Sequence, residues 1–175
     1  AEANRLGAYN KEEALKVNVH YYMYEENYNP VQCYVALGDN PGGKYPYVET
    51  DDFGAVYHAG FLDYKNETVV KLNMSVNGIA DTKYLRNVDV SKANGNVLDV
   101  YVVEGNPEVW YSADEADKTP IIVSAGFEDT TKKILFRASK AVGTSDGKTE
   151  GTFYKVTEED GKSYPIQKAW SVSGS

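Results

Sequence analysis

Apolar and polar residues alternate with a period of two along most of this 175-residue chain, the pattern of strands with one buried face. In LKVNVHYY, Leu15, Val17, Val19 and Tyr21 share one face, with Lys16, Asn18, His20 and Tyr22 on the other. In VQCYVAL, Val31, Cys33, Val35 and Leu37 alternate with Gln32, Tyr34 and Ala36. The same reading predicts strands at 55–62, 68–76, 85–90, 97–103 and 108–111. Turn residues separate them: Asn29-Pro30, the run from Gly38 to Gly43, Asp51 to Gly54, Asn77-Gly78 and Asn94-Gly95. Many short strands at regular spacing, with no long helical pattern, predict an antiparallel β-sandwich.

The pattern also predicts an organisation. Residues 1–14, AEANRLGAYNKEEA, are polar and read as a lead-in, either a loose helical turn or disordered. The stretch SADEADKTP, 112–120, is acidic, rich in small residues and ends in proline, so it reads as a domain boundary. Beyond it TPIIVSAGF, KKILFRAS, GTFYKV and YPIQKAWSV form a second, shorter strand series. The expectation is an all-β chain of two tandem antiparallel β-sandwiches. The first covers 15–112, a linker covers 113–119, and a small immunoglobulin-like sandwich covers 120–175. A unit of that size is marginally stable alone.

Composition narrows the function classes. The net charge is -8, with 18 Lys and Arg residues scattered among 26 acids. Nucleic acid is therefore not an expected partner, because phosphate neutralisation needs a basic stripe. No apolar run approaches the roughly 18 residues of a membrane span, so no membrane insertion is expected. Nor do the opening residues have the charged start and apolar core of a signal peptide. One cysteine excludes an intramolecular disulfide. Fifteen tyrosines against five phenylalanines is the unusual count. A phenol ring offers a flat face and a polar edge, which suits solvent-facing strands and sugar stacking alike.

Catalytic chemistry is thinly represented. Both histidines, His20 and His58, sit inside alternating strands with no metal-ligand spacing beside them. They read as strand histidines satisfied by solvent or neighbours. The sequence has no nucleophile elbow, phosphate-binding loop or dinucleotide fingerprint. Cys33 lies on an apolar strand face and reads as a buried, inert thiol. Acids such as Glu49, Asp51 and Asp52 flank a turn, where carboxylates are expected without function. The expectation is a non-catalytic chain with no cofactor and no metal.

VNVHYYMYEENYN, YPYVETDDFGAVYHAGF, VVKLNMSVNG and YLRNVDVSKANGNVLDVYVVEGNPEVWYS occur in that order. Over roughly residues 15–112 they resemble the family 41 carbohydrate-binding modules at the N-terminus of bacterial pullulanases. The most specific pieces are the HYY strand, the D-D-F-G turn and the ending V-x-V-V-E-G-N-P-E-V-W-Y-S. The second part is more loosely similar to the small β-sandwich that follows such modules. The resemblance implies a first sandwich of carbohydrate-binding-module type that binds α-glucan as a monomer. The ligands would be starch, glycogen, pullulan or maltooligosaccharides, and the place extracellular or at a bacterial cell surface. It also implies a role in tethering a larger starch-degrading protein.

The family's stacking strand reads W-x-x-W-x-W. Here Val31, Tyr34 and Ala36 occupy those positions, so Tyr34 alone keeps a ring. Asp81 and Lys83 supply the family's supporting residue types, and Tyr84 offers a second ring. Three outcomes stay open. α-Glucan binds at Tyr34, Asp81, Lys83 and Tyr84; glycan binds at a relocated aromatic patch; or the sandwich has lost its sugar and serves as a spacer or protein-interaction module. The relocated patch would start from His20 and Tyr22, with Tyr45, Tyr47, Trp110, Tyr111 or Trp170 as further candidates. Trp110 and Trp170 otherwise read as core, edge or interdomain residues.

Overall fold

The computed structural model describes residues 7–121, together with the backbone of four further strands, Ile122–Glu128, Lys133–Ala138, Val156–Thr157 and Ser163–Tyr164. Nine strands build the first sandwich: β1 Leu15–Tyr22, β2 Val31–Leu37, β3 Gly43–Pro46, β4 Glu49–Thr50, β5 Ala55–Phe61, β6 Val69–Val76, β7 Ile79–Ala80, β8 Arg86–Asp89 and β9 Val97–Val103. One sheet has the order β4-β5-β1-β9. The other runs β3-β2-β6-β7, with β8 pairing the opposite end of the same β6 edge. The all-β sandwich expected from the alternation is what forms, and 15–22, 31–37 and 97–103 are strands to the residue.

The inward residues of both sheets meet in one core. Val17, Val19 and Tyr21 from β1, and Leu98, Val100 and Val102 from β9, pack against Val31, Cys33 and Val35 from β2 and Val70, Leu72 and Met74 from β6. A slip of one residue in any of these strands would turn its apolar set outward. Cys33 is fully buried, and burial pushes its thiol well above the usual range.

Several features escape the alternation. β1 and β9 pair in parallel, Lys16 opposite Val97 through Tyr22 opposite Val103, while the other strand pairs of this sandwich are antiparallel. β9 arrives from the other sheet through the 3-10 turn Val90–Lys92, so no tight hairpin sets its direction. β3, β4 and β7 are too short to show a period. The expected strand at 108–111 is only a single bridge, Trp110 to Tyr101, which follows the turn through Gly105, Asn106 and Pro107. Trp110 is half-buried and stands outside the core cluster. Residues 7–9 are helical, and Tyr9 stacks on His58 with ring centroids 4.3 Å apart. The lead-in is thus packed on the first sheet at Tyr9. Of the second strand series, β10 (Ile122–Glu128) pairs antiparallel with β11 (Lys133–Ala138), and β12 (Val156–Thr157) with β13 (Ser163–Tyr164). The remainder of that expected sandwich, Trp170 included, lies outside the described residues.

Much of the tyrosine excess is structural. Tyr21, Tyr28, Tyr47 and Tyr57 form a run of edge-to-face rings at centroid distances of 6.4–6.5 Å. The Tyr57 hydroxyl is buried with no hydrogen-bond partner. An unpaired buried hydroxyl opposes folding. Tyr57→Phe is therefore expected to leave stability unchanged or raise it by up to about 1 kcal/mol, as read from the urea midpoint. A loss of similar size would mean that the hydroxyl is paired in solution.

Candidate functional site

β6 is paired with β8 through Val69–Leu72 and with β7 through Ser75–Val76, leaving a gap beside Asn73 and Met74. The Asn73 side chain closes it. Its Oδ1 accepts from the Met74 backbone N–H at 3.0 Å and from the Thr82 hydroxyl at 2.9 Å, and its Nδ2 donates to the Thr82 carbonyl at 3.3 Å. The Thr82 hydroxyl also lies 2.9 Å from the Tyr84 carbonyl. The loop carrying Lys83 and Tyr84 is thus tied to the sheet through its backbone.

Tyr34 is the direct cross-strand neighbour of Asn73 on one side and of Lys44 on the other. A continuous path runs from Tyr34 through Asn73 and Thr82 to Tyr84. Tyr84 is 74% exposed, and the Lys83 ammonium stands 5.4 Å from its ring centroid. Ile79 and Leu85 add exposed apolar surface from the same segment. Tyr34 itself is half-buried, because the chain at Gly42 passes over its ring tip. A Cβ at Gly42 would stand 2.5 Å from Tyr34 Cζ. Gly42→Ala is expected to swing the Tyr34 ring while leaving the fold intact, seen as displaced ring resonances with an unchanged thermal midpoint. Unmoved resonances would contradict the close approach.

Asp81 lies elsewhere. The structure turns its carboxylate inward, where it makes a two-pronged ion pair with Arg86 at 2.9 and 2.8 Å. The Tyr21 hydroxyl and the Gly105 N–H, each at 3.1 Å, complete its shell. Its side chain is 4% exposed and that of Arg86 fully buried. The guanidinium also donates to Asn73 Oδ1 and to the Asn106 and Val103 carbonyls, so all five N–H groups are used. Burial, with the Asp81 charge beside it, drives the Tyr21 phenol far above its usual range. Asp81 therefore holds the base of the 81–85 loop.

His20 and Tyr22 are on the opposite sheet. His20 is buried and stacks on Tyr101 at 4.3 Å. Its Nδ1 lies 2.7 Å from Asp51 Oδ2 and its Nε2 3.1 Å from Asp99 Oδ1, so both ring nitrogens are engaged. Burial raises the Asp51 carboxyl, but hydrogen bonds from Gly54 N–H, the His20 ring and Phe53 N–H outweigh it and hold the group below the ordinary range. Tyr22 is half-buried among Phe53, Tyr24 and Lys118. The six expected residues thus divide three ways: Tyr34, Lys83 and Tyr84 on one side, Asp81 inside, and His20 with Tyr22 on the far sheet. Asn73, Thr82 and Arg86 were not anticipated. Arg86 had a signal, since it shares the inward face of its strand with Val88. Among the described residues no three His, Cys, Asp or Glu side chains form a metal site, and no helix is long and apolar enough to cross a membrane.

No family model and no curated protein matches this sequence. Solved structures do resemble it. Family 41 carbohydrate-binding modules from streptococcal virulence factors, described for α-glucan recognition, superpose with a TM-score of 0.46 at 12% identity, over 61% of this chain and 50% of theirs. The multi-modular glycogen-degrading pneumococcal virulence factor SpuA gives 0.47 at 8% identity, over 73% of this chain and 13% of that one. Ligand-free PulA from Klebsiella pneumoniae gives 0.46 at 14% identity, over 57% and 11%. This chain thus spans half or less of the length of each of these proteins.

Proposed function

We propose that the first sandwich is a non-catalytic module that binds α-glucan through Tyr84 and Tyr34, with Lys83 beside them. Carbon-bound hydrogens of a glucose ring form an apolar face that stacks on a phenol, while hydroxyls at the rim accept and donate hydrogen bonds. The observation that carries the reading is the open Tyr84 ring, 74% exposed beside the Lys83 ammonium, on a loop anchored next to Tyr34. The ordered motifs from VNVHYY to VWYS add a sequence resemblance to family 41 modules. In this reading residues 15–112 form the module, and 120–175 a second, immunoglobulin-like sandwich. The pair acts outside the cell as a monomer and holds a larger starch-degrading protein on its substrate, raising local concentration.

A spacer role is the second reading, favoured by the inward turn of Asp81 and by the cover that Gly42 lays on Tyr34. Native gels containing amylopectin, pullulan or a β-glucan control separate the two. Retardation by the α-glucans alone is expected, and free migration in all three gels would leave the spacer.

A further inference from the structure

The segment SADEADKTP carries one basic residue, Lys118, among three acids. Its ammonium stands 4.3 Å from the Tyr22 ring centroid and 4.9 Å from that of Phe53. Both rings are held in place. Tyr22 lies on the outer face of β1, edge-on to Tyr24 at 5.4 Å. Phe53 rides the 51–54 turn, where Asp51 Oδ1 accepts from the Phe53 and Gly54 N–H groups at 2.9 Å and Asp51 Oδ2 meets His20. The Phe53 ring stands edge-to-face on Tyr101 at 5.1 Å. The backbone of Lys118 is gripped too, since the Tyr24 hydroxyl donates to its carbonyl at 3.0 Å. Within the segment, Glu115 N–H donates to Ser112 Oγ and Thr119 N–H to Asp117 Oδ1.

We propose that this aromatic notch on the β4-β5-β1-β9 sheet is the docking surface for the chain's own connector, with Lys118 as its key residue. The connector then leaves the first sandwich as a fixed strut. An acidic, small-residue linker is otherwise a flexible tether. An ammonium held against two ring faces has an attraction that neither an acid nor a neutral residue at this position would have. The notch is on the sheet opposite Tyr34 and Tyr84, so the proposal stands or falls independently of glycan binding.

Native digestion of the full chain by a glutamate-specific protease tests it, following the bond after Glu115 by mass spectrometry. Cleavage that proceeds through a transiently undocked connector tracks the undocked population. Lys118→Gln, which keeps a polar chain but loses the charge, is expected to be cut roughly 2- to 30-fold faster, the range that a cation–ring contact implies. Lys118→Arg is expected to keep the wild-type rate, and cleavage after glutamates inside the first sandwich to proceed equally in all three proteins. Equal cleavage of Lys118→Gln and wild type overturns the proposal. So does equal acceleration of the Gln and Arg variants, or an equal acceleration in Lys118→Gln of cleavage after glutamates inside the first sandwich, which would report general loosening instead of undocking.

Discussion

Arg86→Met is expected to destabilise the first sandwich by about 3–5 kcal/mol, the usual cost of removing one partner from a buried ion pair. Methionine fills part of the volume but supplies no donor. The Asp81 carboxylate, nearly solvent-free, would keep only the Tyr21 hydroxyl and the Gly105 N–H. The Asn106 and Val103 carbonyls would lose their Arg86 partners. Arg86→Lys should recover only part of the loss, because one ammonium cannot reproduce a planar fork that spans Asp81, Asn73 and two carbonyls. Combining Arg86→Met with Asp81→Asn should cost less than the sum of the single changes, since the uncompensated charge disappears. Urea unfolding at constant slope is the measurement. A loss below about 1 kcal/mol for Arg86→Met would place the pair with exposed salt bridges and contradict the burial.

Tyr84→Ala is expected to weaken α-glucan binding by roughly 5- to 150-fold, the equivalent of about 1–3 kcal/mol by analogy with bases stacked on aromatic side chains. The ring is so exposed that its removal should leave the unfolding midpoint where it was. Tyr34→Ala should differ in kind. That ring is half-buried against Gly42, so its loss should lower both affinity and stability. Arg86→Met should also weaken binding indirectly, because the Arg86–Asp81 pair anchors the loop that presents Tyr84. Binding that survives Tyr84→Ala and Tyr34→Ala would exclude this site and return attention to the Tyr22 and Tyr101 side.

The sandwich was legible because its long strands bury one face. Val17, Val19 and Tyr21 declare the inside of β1 through spacing alone, and Val31, Cys33 and Val35 do so for β2. The parallel β1–β9 pair was not legible, since period two carries no strand direction. β3, β4 and β7 are too short to show a period. The site was read in fragments. Tyr34 and Tyr84 could be picked out as rings, but a residue type does not say which way a carboxylate turns. Asp81 looked like a surface hydrogen-bonding group until Arg86, five residues on, drew it inside. The arginine on an inward strand position was the available clue. His20 and Tyr22 share a face as expected, yet Asp51 and Phe53 arrive from a turn far along the chain and cover them. That cover depends on tertiary approach, which no local pattern records.

Calorimetric titration of the full chain with maltoheptaose, run beside Tyr84→Ala, tests the glucan-binding reading most directly. We expect a saturable heat for the wild type and a several-fold weaker isotherm for the variant, with matching unfolding midpoints. No heat at millimolar ligand, or identical isotherms for the two proteins, would contradict it.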